Sequence, residues 1–281
     1  MSKIIISVDS TADLTLEMLT KYDIRKINTG VVIGSEAMTD ADLTPEDIYK
    51  AVEIDGLVPK TNACLETDYR ELFEDATKDG GSIIHFNISD RLSASHTNAK
   101  RAAEGLNGVY VVDSKMLTFG IGILAIKACE MRDKGMSAKE IYDEIIGSTI
   151  KNVDVSFIIN DLKYLYKGGR ASGLKLLGAN ILKIRPSLEM DGSGMLVPAR
   201  KFKGDFAHAV REFTKHKLEQ NPNVNKDFVI LAHSDIDPKI PAQVIEDLKA
   251  AGFKEIWHHN VGVSVTIHCG RNTIGMVMFN N

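Results

Sequence analysis

The sequence predicts an α/β protein of two domains, an N-terminal α/β domain built on a parallel sheet and a C-terminal α/β (α+β) domain with an antiparallel component. Its 281 residues exceed the length of one average domain. The first half alternates short apolar runs with helical spacing, whereas a hairpin signal appears after about residue 153. We therefore place the domains at 1–153 and 154–281.

The first half reads as strands that alternate with helices. Thr44 before Pro45 is a typical helix start, and Ser137 with Glu140 forms a capping box. Strands alternating with helices are typical of a parallel sheet covered on both faces. The elements predicted here are, in order, a strand at 4–8, a helix from 45, a strand at 82–86, a helix at 92–104, a strand at 109–112, and helices at 117–134 and from 137.

The second half has a different pattern. Asp191-Gly192-Ser193-Gly194 lies between two β-rich runs and predicts a hairpin. The last stretch, 261–279, reads as two β-rich runs around a glycine-bearing turn. The other predicted elements are a strand at 155–159, hairpin strands at 186–190 and 195–198, a helix at 206–219, a strand at 228–233 and a helix at 241–251.

Composition excludes several classes of protein. Thirty-four basic and 38 acidic residues give a net charge of −4, which does not favour binding to nucleic acid or to an anionic membrane. Three cysteines without a CxxC pair support neither a disulfide framework nor a zinc ribbon. The sequence shows no signal peptide and no apolar run of the roughly 20 residues that cross a bilayer, so we expect a cytoplasmic protein without a transmembrane segment.

Polar residues follow several of the predicted strands. Ligands of parallel sheets bind beyond the carboxyl ends of the strands, but serine, threonine and aspartate also cap helices there. Ser93 and Ser95 lie at or near a predicted helix start, where free amides favour an anion, so a cap and an anion site are both open. The other hydroxyl-rich or polar stretches are Asp9-Ser10-Thr11, Lys60-Thr61-Asn62 and Asp113-Ser114.

Two further segments carry candidate residues. The stretch 162–173 combines a glycine pair with Lys167 and Arg170, which fits either an anion site or a turn with solvated charges. His268 lies in an apolar strand pattern and is either a packed residue or a functional one. No Walker A or GxSxG motif occurs, and no metal site is predicted because none of these histidines has metal-ligand spacing: His85, His96, His233, His258 and His259.

Taken in order, these segments resemble the DegV family. The glycine motif Lys167-Gly168-Gly169-Arg170 is intact, and the other matches extend over most of the chain. They are Asp9 to Asp13, Pro59 to Asn62, Leu92 to Ala99, Val112 to Ser114 with Thr118, Gly120 and Gly122, Lys183 to Arg185, Arg200 to Asp205, His233 to Asp235, and Ile267 to Gly270. Departures include Asn62 for the usual serine, Ala94 for glycine and Lys203 for a common arginine.

The resemblance implies a binding protein whose acyl chain lies in a buried tunnel. Ligand-binding positions would be Thr61, Asn62, Ser93, Ser95 and His268, the last supplying a further hydrogen bond to the carboxylate if it is protonated. In bacterial fatty-acid kinases, a DegV-type subunit presents the carboxylate to a separate ATP-dependent catalytic subunit. Arg170, Arg200 and Lys203 would then contact that partner or the acyl phosphate.

We therefore expect a lipid-binding protein for a C14 to C18 fatty acid such as palmitate, with no catalytic residue, no cofactor and no nucleic-acid partner. The alternatives are an enzyme or a regulatory binder acting on another small carboxylate or phosphate, with Ser93 or His268 in a catalytic role in the enzyme case.

Overall fold

The computed structural model describes residues 3–170 and 184–280. The motif residues 171–173 and Lys183 lie outside that range. The strands are β1 (Ile4–Asp9), β2 (Ile24–Ile27), β3 (Gly30–Ile33), β4 (Glu36–Thr39), β5 (Lys60–Asn62), β6 (Ser82–Asn87), β7 (Val109–Asp113), β8 (Val153–Ile159), β9 (Ile184–Met190), β10 (Leu196–Lys203), β11 (Phe228–His233), β12 (Glu255–Asn260) and β13 (Thr273–Phe279).

The helices alternate with these strands through most of the chain. They are α1 (Leu16–Tyr22), α2 (Pro45–Glu53), α3 (Glu66–Thr77), α4 (Ser95–Ala102), α5 (Phe119–Asp133), α6 (Ala138–Gly147), α7 (Lys163–Lys167), α8 (Phe206–Gln220), α9 (Lys239–Ala250) and α10 (Val263–Cys269). Across 3–170 and 184–280, no helix combines the length and the apolar character that a bilayer span requires.

The residues pack into two compact units. The first comprises Met1–Thr44 and Lys60–Lys151, and the second comprises Pro45–Pro59 and Asn152–Asn281. Helix α2 therefore packs with the second unit although it lies early in the sequence. The domain limits 1–153 and 154–281 stay a prediction.

The first unit is built on the expected parallel sheet, with strand order β2-β1-β6-β7 and every neighbouring pair parallel. Strands β1 and β6 are buried along almost their whole length because their residues are largely isoleucine, valine and phenylalanine. Helix α5 is also buried at most positions, from Phe119 to Cys129. The predicted capping box before α6 is confirmed, since Ser137 Oγ accepts a hydrogen bond from Glu140 N.

A small antiparallel sheet of order β4-β3-β5 also belongs to this unit, and the sequence did not reveal it. Its strands have three or four residues each, too few for an alternating pattern to stand out. Strand β5 carries Thr61 opposite Val31 and Asn62 opposite Gly30. The stretch 60–62, expected only as a polar segment, is therefore held in a strand.

The second unit contains a sheet of order β10-β9-β8-β13-β11-β12, antiparallel except for the pair β11 and β12. The predicted hairpin joins β9 to β10. At its turn Asp191 Oδ1 accepts bonds from Ser193 N and Met195 N, and Gly194 has φ +85. Helices α8 and α9 cover the sheet over a core that includes Phe213, Leu231 and Met276.

One strand of a predicted pair is wrong. Residues 263–269 form helix α10 rather than a strand, and only β13 follows as a strand. The run Val261, Val263, Val265 and Ile267 has the period of a strand, but Val263, Thr266 and Ile267 also share one helical face, and those three side chains are buried. Strand β12 was not predicted, because its residues are mostly polar or aromatic.

Candidate functional site

Two serine hydroxyls lie at the beginning of α4, as the sequence predicts. Ser93 Oγ accepts a bond of 3.2 Å from Ser95 N and lies 3.0 Å from Ser95 Oγ. Because one hydroxyl donates to the other, the second hydroxyl hydrogen remains able to bond elsewhere. The first-turn amides of α4 add partial positive charge. Ser93 thus bonds the first amide of α4 from the position before the N-cap Ala94, which itself makes no side-chain cap, and the arrangement suits an anionic group.

A hydrogen bond ties the start of α4 to the segment that follows Thr61. Asn98, one turn into α4, donates from Nδ2 to the carbonyl oxygen of Cys64 at 2.9 Å. Cys64 lies three residues after Thr61 at the end of the β5 segment, and its thiol contacts the carbonyl oxygen of Asn28 at 3.5 Å. The two predicted ligand-binding segments of this unit are therefore neighbours.

Behind these segments, at the carboxyl end of the parallel sheet, lies a buried polar network centred on Asp9, the last residue of β1. Asp9 Oδ1 accepts bonds from the Tyr69 hydroxyl at 2.6 Å and from Asn87 Nδ2 at 3.3 Å, and His85 Nε2 lies 3.1 Å away. His85 Nδ1 lies 2.8 Å from Ser7 Oγ. All of these side chains are buried. A buried carboxylate is tolerated only with such a set of partners.

The network reaches the β5 segment through Cys64, whose Sγ lies 3.8 Å from Asp9 Oδ1. Burial, together with the Asp9 charge, raises the pKa of the Cys64 thiol, so it stays protonated. Ser10, the residue after Asp9, donates from its Oγ to Asp40 Oδ2 at 2.5 Å and accepts a bond of 3.0 Å from Thr29 N. Side chains of the sheet edge therefore fix both the start of β3 and the end of β4.

The cap interpretation of the Asp9 and Asp113 loops needs correction. Asp9 makes no side-chain cap at the short 3-10 turn that follows it, and Thr15 caps α1 instead. Asp113 Oδ1 accepts from Asp90 N and Lys115 N, which closes loops rather than a helix. Both aspartates end a strand, and their carboxylates stabilise the sheet edge.

In the second unit, the glycine motif packs directly on the predicted histidine. His268 lies on α10, not on a strand, and its Nδ1 is only 2.2 Å from where a Cβ at Gly168 would be. Any larger residue at 168 would displace the imidazole. Gly169 has φ +72, a conformation that favours glycine. Glycine is thus favoured at position 168 by the contact with His268 and at position 169 by the backbone conformation.

A second glycine contact joins the same two helices. A Cβ at Gly270 would lie 2.4 Å from the ring of Tyr164, and Gly270 has φ +66. Tyr164 belongs to α7, so the segments 162–170 and 267–270 interlock through Gly168 against His268 and Gly270 against Tyr164. Two motifs about 100 residues apart in the sequence therefore pack against each other.

The electrostatics of this feature favour a neutral histidine. Part of the His268 side chain reaches solvent, but burial of the ring, with the positive charge of Arg170 near it, lowers its pKa to about 3. Burial also lowers the pKa of Arg170, which donates from Nη1 to the carbonyl oxygen of Gly168 at 2.8 Å. The protonated form, on which the further hydrogen bond to the carboxylate was conditional, is therefore not the form that this environment stabilises, although a neutral imidazole still donates one N–H.

The other two predicted partner-contact residues lie on β10, an edge strand of its sheet. Arg200 is exposed, and its Nη1 lies 2.8 Å from His216 Nδ1. Lys203 is exposed at the end of the strand. Charged side chains on an edge strand also prevent pairing with other chains, so their exposure alone does not identify a contact surface.

Comparison with known proteins decides the family. The sequence profile of the DegV family matches residues 3–281. A fatty acid-binding protein of Thermotoga maritima is 30% identical over 280 residues, covering 97% of this chain and 96% of its own.

The chain belongs to the DegV family.

Solved structures agree with the fold of this DegV protein. A DegV family protein from Thermus thermophilus, described for its fatty acid binding, superposes with a TM-score of 0.91 at 23% identity, covering 99% of this chain and all of its own. A stearic acid-binding protein from Eubacterium ventriosum superposes with a TM-score of 0.84 at 20% identity, covering all of this chain and 98% of its own. The DegV resemblance and the α/β fold class are thereby confirmed.

Sequence reasoning missed the role of the buried network in this DegV chain. Asp9, Asn87 and Asp113 each end a strand of the parallel sheet, and Asn87 pairs in register with Asp113. Polar residues at the ends of neighbouring buried strands are the signal that could have revealed it. The partners Tyr69 and His85 had no such signal, because they are spaced like core residues.

Proposed function

We propose that this protein binds a long-chain fatty acid by its carboxylate and presents it to a separate ATP-dependent kinase subunit, without catalysing a reaction alone. The observation that carries the proposal is the Asn98–Cys64 hydrogen bond, which brings the hydroxyls at the start of α4 next to the segment carrying Thr61. Hydroxyls and helix amides are suitable donors for a carboxylate. Thr61, Asn62, Ser93 and Ser95 are its proposed ligand-binding residues.

The names of the relatives support a fatty acid as the ligand. The Thermotoga maritima relative is named a fatty acid-binding protein, and the Eubacterium ventriosum structure is described as binding stearic acid. Stearic acid lies within the proposed range of C14 to C18. Each methylene that leaves water contributes about 0.8 kcal/mol before ordering costs, so a buried acyl chain supplies most of the affinity.

His268 is proposed as a further ligand-binding residue of the second unit. Its neutral imidazole donates a single hydrogen bond, and a nearby carboxylate would raise the pKa of His268 from its value of about 3. Arg170 beside it carries a positive charge that suits an anionic head group or an acyl phosphate. We assign Arg170, Arg200 and Lys203 to the contact with the kinase subunit or the acyl phosphate.

The first test is organic extraction of the purified protein followed by mass spectrometry. We expect a near-stoichiometric fatty acid of C14 to C18. An empty extract, combined with no binding of added palmitate or oleate, would contradict the proposal.

The head-group assignment is tested with matched serine and threonine variants. Ser93→Ala and Thr61→Ala each remove a hydrogen bond to a charged group, worth about 1.5–3 kcal/mol, so palmitate affinity should fall at least about tenfold. Thr97→Ala, an exposed hydroxyl on the same helix α4, is the control and should bind as the wild type does. Unchanged affinity in both test variants would reject these residues as ligands.

The partner role is tested by phosphorylation of bound fatty acid with a fatty-acid kinase subunit and ATP. Arg170→Ala should retain fatty acid binding and lose turnover, whereas Lys163→Ala, which removes an exposed cation on α7, should retain both. Normal turnover of Arg170→Ala would remove that residue from the contact.

A further inference from the structure

Two histidines that are far apart in the sequence meet at the surface of the second unit. His233 is the last residue of β11, and His258 lies on the adjacent parallel strand β12, where Leu231 is its register partner. Their Nε2 atoms are 2.7 Å apart, and their ring centroids are separated by 4.7 Å. His258 is exposed and His233 is half-buried, so both ring edges can be reached from solvent.

The hydrogen bonding of His233 fixes its tautomer. Its Nδ1 lies 2.8 Å from the carbonyl oxygen of Ser234, and a carbonyl only accepts, so Nδ1 carries the hydrogen. In the neutral ring, Nε2 therefore has a free lone pair, which receives the Nε2 hydrogen of His258. A metal-binding histidine usually donates its other ring N–H to a group such as a backbone carbonyl, which fixes the orientation of the ring.

The hydrogen bond between the two rings also shows how a metal ion would enter the pair. When a metal replaces the shared hydrogen, the Nε2 proton of His258 moves to its Nδ1, so the ring stays neutral and no other group has to change its charge.

The separation of the two nitrogens favours one class of metal. With metal–nitrogen bonds of about 2.0 Å, nitrogens 2.7 Å apart subtend about 85° at the metal. That angle suits the 90° positions of square-planar Cu(II) or Ni(II) and not the wider angle of tetrahedral zinc. His233 ends β11 ahead of the loop into α9, and His258 lies two positions before the end of the parallel strand β12.

We propose that His233 and His258 form a two-histidine surface site for Cu(II) or Ni(II), with water completing the coordination. Within residues 3–170 and 184–280, no group of three or more His, Cys, Asp or Glu side chains is placed to hold a metal, so this site has two protein ligands. Spacing along the sequence could not reveal it, because strand pairing brings together residues 25 positions apart.

The test uses full-length protein whose affinity tag has been removed, titrated with Ni(II) and with Cu(II) by calorimetry and electron paramagnetic resonance. We expect one ion per chain and, for Cu(II), coupling to two imidazole nitrogens. His258→Ala and His233→Ala should each weaken binding at least tenfold, because one donor of the chelate is lost. His208→Ala, an exposed histidine on α8 of the same unit, should bind as the wild type does.

Two results would overturn the site. One is equal affinity in the wild type and in both variants, which would place the ion elsewhere. The other is wild-type binding weaker than about 1 mM for both ions. Because His258 is exposed, its replacement should leave the thermal unfolding temperature of the metal-free protein unchanged, and the wild type alone should gain stability on adding Ni(II).

Discussion

Asp9 in the first unit and Arg271 in the second each contact several polar or charged side chains, but Asp9 is buried whereas Arg271 is partly exposed to solvent. Asp9 is 1% exposed and is held by Tyr69, Asn87 and His85. Arg271 is 29% exposed and contacts Glu46, Glu53 and Asp235, which are 74%, 41% and 55% exposed. Solvent screens the second cluster and not the first. We therefore expect the three buried partners of Asp9 to contribute more to stability than the three exposed ion pairs of Arg271.

The strongest test of this comparison is Asp9→Ala. The change leaves the Tyr69 hydroxyl, the Asn87 amide and His85 without their shared acceptor in a closed interior, so the free energy of unfolding should fall by about 3–5 kcal/mol. Urea denaturation measures this loss. The matched control is Asp235→Ala at the exposed cluster, and an equal effect of the two substitutions would refute the comparison.

A milder change at the same place is Tyr69→Phe, which keeps the ring and removes the hydroxyl 2.6 Å from Asp9. The loss of a hydrogen bond to a charged group should reduce the free energy of unfolding by about 1.5–3 kcal/mol. Tyr142→Phe on α6 serves as the control and should change stability by less than about 0.5 kcal/mol. A Tyr69→Phe protein as stable as the control would show that the hydroxyl is dispensable.

Buried His268 extends the comparison to pH. Its pKa falls from the ordinary 6.5 to about 3 in the folded protein, so the unfolded chain binds the proton more readily and stability is lost as the pH falls from about 6.5 towards 3. The slope reaches about 1.4 kcal/mol per pH unit, or about 2 kcal/mol at pH 5. The wild type should therefore lose more stability between pH 7 and 5 than His268→Gln does. Parallel pH curves for the two proteins would contradict the shift.

The smallest effect is expected for Arg271→Ala. Its exposed ion pairs and its position 3.9 Å from the Tyr49 ring centroid together should contribute about 1 kcal/mol or less at low salt. The difference from wild type should shrink at 1 M NaCl, where charges are screened within about 3 Å. A loss of several kcal/mol that salt does not change would mean that this cluster behaves as Asp9 does.

Much of the fold could be predicted from local patterns. Strands β1, β6 and β7 contain the β-branched and aromatic runs that are typical of strands, and the turn at 191–194 carries its own signal. Helix α10 could not be predicted, because Val263, Val265 and Ile267 have the period of a strand while Val263, Thr266 and Ile267 share one helical face, and packing decides between them. The strands of the small sheet are too short to show any period.

The candidate site was predicted less completely than the fold. Ser93 and Ser95 could be proposed because hydroxyls at a helix start suit anions, and Thr61 could be proposed through the family resemblance. The hydrogen bond from Asn98 to Cys64 brings their segments together. The buried partners of Asp9 and the contact of His268 with Gly168 could not be predicted, because both depend on tertiary contacts between segments remote in sequence. Spacing along a chain predicts local structure and not which buried side chains meet.

The closed environment of the thiols has a practical consequence for labelling. Cys64, Cys129 and Cys269 are all buried, and burial raises the pKa of Cys129 to about 12 as well as that of Cys64. Alkylating reagents attack thiolates, so the three native cysteines should react slowly in the folded protein. A cysteine introduced at an exposed position, such as Lys203→Cys, should then carry a fluorophore alone, and ligand exchange can be followed without first removing the native cysteines.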